Sequence, residues 1–248
     1  MNTKENFRPK AHKPPIGFFN TIRFNVRLLI DFQVNSVHHH VKIFLKKVTG
    51  NLLDLGCGES PYRFLVNEKI TCYYGVDIFD ADKFDYQKSN ITHFDGLKIP
   101  FSDGNFDFVI CTEVLEHVED FQTLVDDVHR VLKPGGSALF TIPWSARYHY
   151  IPYDYFRYTP ATLLKIFSKF KETEILARGT DITSISSKLI VLFFRNLFPN
   201  QTWRFIFSPL WLLATPILLL ALIFGHISLH AKFGSDLDPL GYTIIIKK

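Results

Sequence analysis

Gly50-Asn51-Leu52-Leu53-Asp54-Leu55-Gly56-Cys57-Gly58 is the stretch that decides the architecture. A short apolar run ends on an acid and then on two glycines one residue apart. That is the pattern of a buried strand stopping in a tight turn before a helix, here expected near Tyr62 to Asn67. Strand, glycine turn and helix make an entry to a nucleotide site, because glycine lets the backbone come close to a ligand. A dinucleotide fingerprint would ask for a third glycine three residues after Gly58, and that position is Pro61, so NAD is not the expected ligand.

Working outward, Cys72-Tyr73-Tyr74-Gly75-Val76 reads as a second strand ending on Asp77. There one carboxylate can accept hydrogen bonds from both ribose hydroxyls of an adenosine. Phe106-Asp107-Phe108-Val109-Ile110-Cys111 follows the turn Ser102-Asp103-Gly104-Asn105. A helix is expected over Phe121 to Leu132, ended by Lys133-Pro134-Gly135-Gly136, then a strand over Ser137 to Ile142. Thr159-Pro160 opens a further helix over 160–171, and 172–178 and 242–246 read as strands. Strands alternating with helices imply a largely parallel sheet covered on both faces.

The 248 residues suffice for one large domain with insertions; 47% are hydrophobic and 15% aromatic, with 25 Phe, so a full core forms with apolar surface left over. Cys57, Cys72 and Cys111 lack CxxC spacing and are expected as reduced thiols in the cytoplasm. No signal peptide is expected, since polar and basic residues follow Met1. Residues 1–50 carry Lys4, Arg8, Lys10, Lys13, Arg23, Arg27, Lys42, Lys46 and Lys47 against Glu5 and Asp31, a basic start to a chain of net charge +4. Such an arm suits nucleic acid, an anionic membrane or an acidic substrate, and a solvated tail needs no partner.

Residues 1–15 are expected as a flexible basic arm and 16–248 as a single domain. Within it, 16–48 read as amphipathic helices, 50–180 as the ligand-binding core, 181–235 as a hydrophobic insert and 240–248 as the last strand. No metal site is expected: a helix would point His38, His39 and His40 about 100° apart. Phe205 to Leu229 holds no Lys, Arg, Asp or Glu and is long enough for one membrane span. If 172–178 and 242–246 share a sheet, however, both ends of the insert lie on one side, and the number of crossings must be even. A second span over Leu189 to Phe198 would bury Arg195, at a cost of about 2.5–3.5 kcal/mol. A monotopic or re-entrant helical hairpin docked on the inner face of a membrane fits better, the alternative being a helix pair buried against the domain or a dimer partner.

Asp54-Leu55-Gly56-Cys57-Gly58 resembles motif I of the class I S-adenosylmethionine-dependent methyltransferases. Asp95-Gly96-Leu97-Lys98-Ile99-Pro100-Phe101 and Phe106-Asp107-Phe108-Val109 resemble their D-x-x-x-L-P-F and F-D-x-V segments, with Ile99 where Leu is common. Thr112-Glu113-Val114-Leu115-Glu116-His117-Val118 resembles the segment that closes over the cofactor, and Leu132-Lys133-Pro134-Gly135-Gly136 the L-K-P-G-G turn. The resemblance covers about residues 50–160 and is strongest to type 11 methyltransferases of the ubiquinone and menaquinone kind. It implies a Rossmann-like α/β fold with a mostly parallel seven-stranded sheet, helices on both faces, N-terminal helices and a hydrophobic helical insert before the last strand. The implied cofactor is S-adenosylmethionine, held by Asp54, Gly56, Cys57, Gly58, Asp77, Asp95 and Glu113; Asn90 competes with Asp95 for the adenine contact.

His117 and His149 are the candidate bases should the acceptor be a hydroxyl, His being suited by its ordinary pKa of about 6.5. In a helix-like setting His117 could equally hydrogen-bond a neighbouring carbonyl. The aromatic stretch Tyr148 to Thr159 can hold an apolar ligand and fix a polar group on it. It resembles a substrate-covering segment of the family, which makes His149, Asp154, Arg157 and Tyr158 the substrate-side candidates. An Asp154–Arg157 salt bridge holding Tyr158 is the bland alternative. A small-molecule or lipid-linked acceptor, such as a quinone precursor or a membrane glycolipid, is expected, O- or C-methylated. Nucleic acid is not expected, because Thr112-Glu113-Val114-Leu115 stands where an N-P-P-[YF] tetrapeptide would grip a flipped base. A non-catalytic binding protein or a membrane adaptor remains the alternative function.

Overall fold

Hydrophobic residues on neighbouring strands alternate between two clusters, and this alternation places the sheet at the centre of the molecule. Leu53, Leu55, Val109, Cys111, Ala138 and Phe140 face one side, and Leu52, Ile110 and Leu139 the other. The computed structural model describes residues 13–78, 91–199 and 201–248. The first twelve residues of the basic arm, and Asn90, lie outside them.

Seven strands pair in the order β3-β2-β1-β4-β5-β7-β6. They are β1 (Gly50–Leu55), β2 (Thr71–Ile78), β3 (Thr92–Phe94), β4 (Phe106–Thr112), β5 (Leu132–Pro143), β6 (Glu172–Arg178) and β7 (Gly241–Lys247). All pairings are parallel except those of β7 with β5 and β6. The order reverses between β1 and β4, and the crevice outside the carboxyl ends of strands at such a point is where open α/β sheets bind ligands.

Helices α1 (Phe18–Ile30) and α2 (Phe32–Leu45) precede the sheet, and Asp31 caps α2 by accepting from Val34 N at 3.2 Å. Val37, Val41, Phe44 and Leu45 of α2 pack on the Leu52–Ile110–Leu139 face. On the opposite face lie α3 (Phe121–Val131), capped by Asp120, and α4 (Pro160–Ile166), capped by Thr159 with Pro160 opening its first turn. The helix expected near Tyr62 to Asn67 is instead one 3-10 turn, Arg63–Leu65. Ser60 sits in the left-handed region, Pro61 follows it, and an Asn67–Ile70 turn leads straight into β2, so residues 56–70 have room for one turn only.

Between β6 and β7 the chain forms α5 (Asp181–Leu197), a 3-10 turn (Thr202–Phe207), α6 (Ser208–Leu213) and α7 (Thr215–Ala231). α5 packs antiparallel-fashion with α7 through small and hydroxylated residues. Ser228 Oγ lies 2.5 Å from Thr180 Oγ1 and 2.6 Å from Thr183 Oγ1, and a Cβ on Gly225 would meet the Phe32 ring at 2.3 Å. The buried residues of α7 are Ala221, Gly225 and Ser228. No single described helix is long and apolar enough to cross a membrane; Thr202–Leu213 and Thr215–Ala231 pass that test only as a pair bent by 64°. β6 and β7 are paired neighbours, so both ends of this insert return to the same sheet.

Candidate active site

The glycine turn after β1 is built against β2. Gly56 N and Cys57 N both donate to Val76 O, at 2.9 and 3.0 Å, and Gly58 N donates to Asp77 Oδ2 at 2.7 Å. Gly56 has φ +69, and a Cβ there would stand 2.4 Å from a Val114 methyl, so glycine is required both by conformation and by the close approach of the segment after β4. Asp77 is 7% exposed; burial raises its carboxyl pKa, and the Gly58 and Ile78 N–H groups work against that rise. The glycines after β1 and the acid near the end of β2 therefore meet beside the β1/β4 switch point.

Asp54 is buried beneath this turn and accepts from Tyr73 Oη at 2.5 Å. Burial lifts its carboxyl to about 7, the nearby Asp77 adds to the rise and the Tyr73 hydrogen bond opposes it. Cys57 is buried and its thiol is pushed far up by desolvation, which makes it inert packing beside the turn. Asp95 follows β3 and is exposed; its Oδ1 accepts from Leu97 N and Lys98 N at 2.8 and 2.7 Å, closing a local turn.

Glu113 has φ 54, an uncommon conformation for a residue with a Cβ, and its carboxylate accepts from Arg178 Nη2 at 2.7 Å. Arg178 is 1% exposed; it also donates to Ile142 O and to Ser36 Oγ, and a Cβ on Gly241 would stand 2.3 Å from its Nη2. The residue expected to touch cofactor is thus tied to an arginine at the end of β6. Sequence reading missed Arg178 and Tyr73; the one signal for Arg178 is a charge closing an otherwise sheet-like segment.

The segment after β4 forms a 3-10 turn, Leu115–His117, roofed by the loop that follows β5. Tyr155 N and Phe156 N donate to Glu116 O, and Tyr158 Oη to Leu115 O at 2.9 Å. Tyr158 is buried, so it anchors the loop and does not offer its hydroxyl to a ligand. Arg157 grips Asp154 with two hydrogen bonds, Nη1 to Oδ1 at 2.6 Å and Nη2 to Oδ2 at 2.7 Å. Burial alone would raise the Asp154 pKa, but the guanidinium and the His149 N–H groups outweigh it and hold the carboxyl well below the usual range. Asp154, Arg157 and Tyr158 are in this way a strut, and its product is the position of His149.

His149 and His117 are brought together with their ring centroids 4.9 Å apart, and Tyr150 lies 5.3 Å from His117. His117 Nδ1 is 2.7 Å from Tyr153 O, so that nitrogen carries the proton. Desolvation lowers the His117 pKa to about 4, with the Tyr153 carbonyl opposing and His149 assisting the fall, and the ring is neutral at neutral pH.

The methyltransferase domain family matches residues 53–140. The chain is 28% identical over 121 residues to an uncharacterized protein of Methanocaldococcus jannaschii, spanning 47% of this chain and 53% of that one. It is 27% identical over 135 residues to the demethylmenaquinone methyltransferase of Anoxybacillus flavithermus, 48% of this chain and 57% of the relative. It therefore spans little more than half the length of the curated relatives it matches. The crystal structure of an S-adenosylmethionine-dependent methyltransferase from Archaeoglobus fulgidus superposes with a TM-score of 0.53 at 20% identity, covering 91% of this chain and 99% of that one. With the sheet reversing at β1/β4 and its antiparallel β7 inserted between β5 and β6, the chain has the Rossmann-like fold of the class I S-adenosylmethionine-dependent methyltransferases, and residues 53–140 match the methyltransferase domain family.

Proposed function

We propose that this chain binds S-adenosylmethionine and transfers its methyl group to oxygen or carbon of a small-molecule or lipid-linked acceptor, a quinone precursor or a membrane glycolipid. The observation that carries this reading is the Gly58–Asp77 junction at the switch point, with Gly56 pressed against Val114. The cradle fits an adenosine: Asp77 Oδ2 takes the Gly58 N–H, and a carboxylate with four lone-pair sites retains capacity for ribose hydroxyls. The bound cofactor supplies an activated methyl group, so the chain's task is alignment and exclusion of water. Glu113, fixed by Arg178, shapes the wall beside Gly56, and the loop from Tyr148 to Thr159 covers the acceptor side. We assign to His117, neutral at neutral pH, and to His149 the role of taking a proton from an acceptor hydroxyl.

The insert supports a greasy acceptor. Its small residues face inward while Leu210, Leu213, Ile217, Leu219, Leu220 and Ile223 face outward at 54–78% exposure, an arrangement suited to an apolar surrounding. α1 continues this surface, for His226 Nε2 donates to Leu29 O at 2.9 Å, and Phe18, Phe19 and Ile22 are exposed beyond it. Lys188, Arg195, Arg204 and Lys232 in and around the insert suit anionic headgroups. We read this face as docking on a membrane surface from one side.

Calorimetric titration with S-adenosylmethionine and S-adenosylhomocysteine, with NAD as control, tests the cofactor half. Micromolar binding weakened roughly tenfold or more in Asp77→Ala is expected, from loss of charge-assisted hydrogen bonds worth about 1.5–3 kcal/mol. Binding of NAD instead, or no binding, overturns it. Radiolabelled methyl transfer into lipid extracts separates an enzyme from a membrane adaptor that merely holds the cofactor.

A further inference from the structure

Beneath the aromatic loop, Glu116, His117 and His149 each bring one potential ligand atom within 4.8 Å of the other two. The histidines come from separate places in the chain, one from the 3-10 turn after β4 and one from the loop after β5. In each ring Nδ1 is engaged by oxygen: His117 by Tyr153 O at 2.7 Å, His149 by Arg147 O and by Asp154 Oδ2, both at 3.0 Å. An imidazole held this way keeps its proton on Nδ1 and its lone pair on Nε2, which is the outer-shell arrangement behind metal-binding histidines. Nε2 of His117 lies 3.7 Å from Glu116 Oε1.

Glu116 supplies an independent observation. Its side chain is wholly buried, and neither carboxylate oxygen has a hydrogen-bond partner among the described residues. Removing a bare carboxylate from water costs several kcal/mol unless it is paired. The neighbouring cation, Arg157, spends its guanidinium on Asp154 and on the carbonyls of Phe156 and Arg147.

We propose that Glu116, His117 and His149 form a binding site for a divalent d-block cation, with Zn2+ as the reference ion. Two imidazoles and one carboxylate are the protein donors of open sites that keep a position for a further ligand, whereas Mg2+ prefers oxygen alone. Bonds of about 2.0 Å in a tetrahedron put the donors about 3.3 Å apart, so side-chain shifts of about 1 Å close the cluster on an ion. With the ion bound, His117 and His149 act as ligands, and the proton-accepting role proposed for them above belongs to the ion-free chain. The site does not depend on the methyl-transfer reading.

The test uses the full chain without an affinity tag, stripped with chelator and reloaded. Zn2+ uptake of about one ion per chain with a rise in Tm is expected, since a ligand that binds only the folded state stabilises it. Co2+ should give the visible absorption of a nitrogen-and-oxygen site, and Mg2+ should give neither effect. Glu116→Gln and His149→Ala should each weaken Zn2+ binding by more than about 100-fold, beyond what an outer-shell change costs. A double variant, His39→Gln with His40→Gln, should keep wild-type affinity and so exclude the histidine run of α2. Glu116→Gln preserves shape and removes a buried charge, so it should fold, and unchanged S-adenosylmethionine binding checks that it has. Absence of the Co2+ spectrum in the wild type, or its undiminished survival in Glu116→Gln, overturns the site while leaving the methyltransferase reading intact.

Discussion

β1 and α7 are both strongly apolar segments, yet the molecule treats them in opposite ways. In β1, Leu52, Leu53 and Leu55 are at 0% exposure, enclosed by the two helical layers. In α7 the residues turned inward are Ala221, Gly225 and Ser228, while Leu219 and Ile223 stand 54% and 55% exposed. Hydrophobicity sets how much a segment gains from leaving water, and neighbours decide where that gain is realised. β1 realises it inside the chain. The outward face of α7 leaves it available to something else.

Arg178 lies where the two regions join, closing β6 just before Thr180 caps the insert, and breaking it should have the largest effect. Arg178→Ala leaves the Ile142 carbonyl and Ser36 hydroxyl without their donor and Glu113 without its charge partner, so a loss of about 3–5 kcal/mol by urea unfolding is expected. A loss below about 1 kcal/mol would mean that the two regions are not tied there.

One substitution made in both regions sharpens the contrast. Leu53→Ala empties space inside the sheet core and should cost about 2–5 kcal/mol, whereas Leu219→Ala should stay within about 0.5 kcal/mol. Equal losses would show that α7's outer face is covered in solution, which sedimentation would then reveal as an oligomer.

A smaller effect concerns the floor of the glycine turn. Asp54 titrates near 7 when folded against 3.8 ordinarily, so the folded chain holds this proton more tightly than the unfolded one. Its contribution favours folding most below the unfolded value and is lost as pH rises from about 4 through 7, by at most about 1.4 kcal/mol per pH unit. Asp54→Asn should flatten that part of the stability curve, measured by urea titration at successive pH values. An unchanged slope would assign it to other groups.

The smallest expected change in stability accompanies a clear change in partitioning. Leu219→Glu with Ile223→Glu alters only the exposed face and should leave Tm nearly unchanged, while binding to vesicles containing anionic lipid in a flotation assay is lost. Retained flotation would move the membrane contact elsewhere or remove it.

Much of the core was readable in advance. The strand–turn rhythm from Gly50 to Ile142 and the strands at 172–178 and 242–246 follow from apolar runs, glycine placement and spacing, whereas the Gly58–Asp77 hydrogen bond is a finding of the structure. The missing helix at 62–67 did not, because local pattern cannot register how few residues are left once two turns have been made. His149, Asp154, Arg157 and Tyr158 read from sequence either as substrate-side groups or as a loop held by an Asp154–Arg157 salt bridge; the structure has the bridge, with Tyr158 tied to the Leu115 carbonyl, a pairing that only the distances between donors and acceptors decide.

The sequence alone determined the class of fold and the chemistry of the glycine turn, since both rest on short-range facts: periodicity, permitted φ and the residue types at strand ends. Tertiary structure alone decided which distant side chains meet. Glu113 finds Arg178 and His117 finds His149 because parallel strands deliver their carboxyl ends to one edge of the sheet, whatever their separation along the chain. It also decided which apolar surface stays outside, because burial depends on the geometry of the neighbours as much as on the hydrophobicity of the residue.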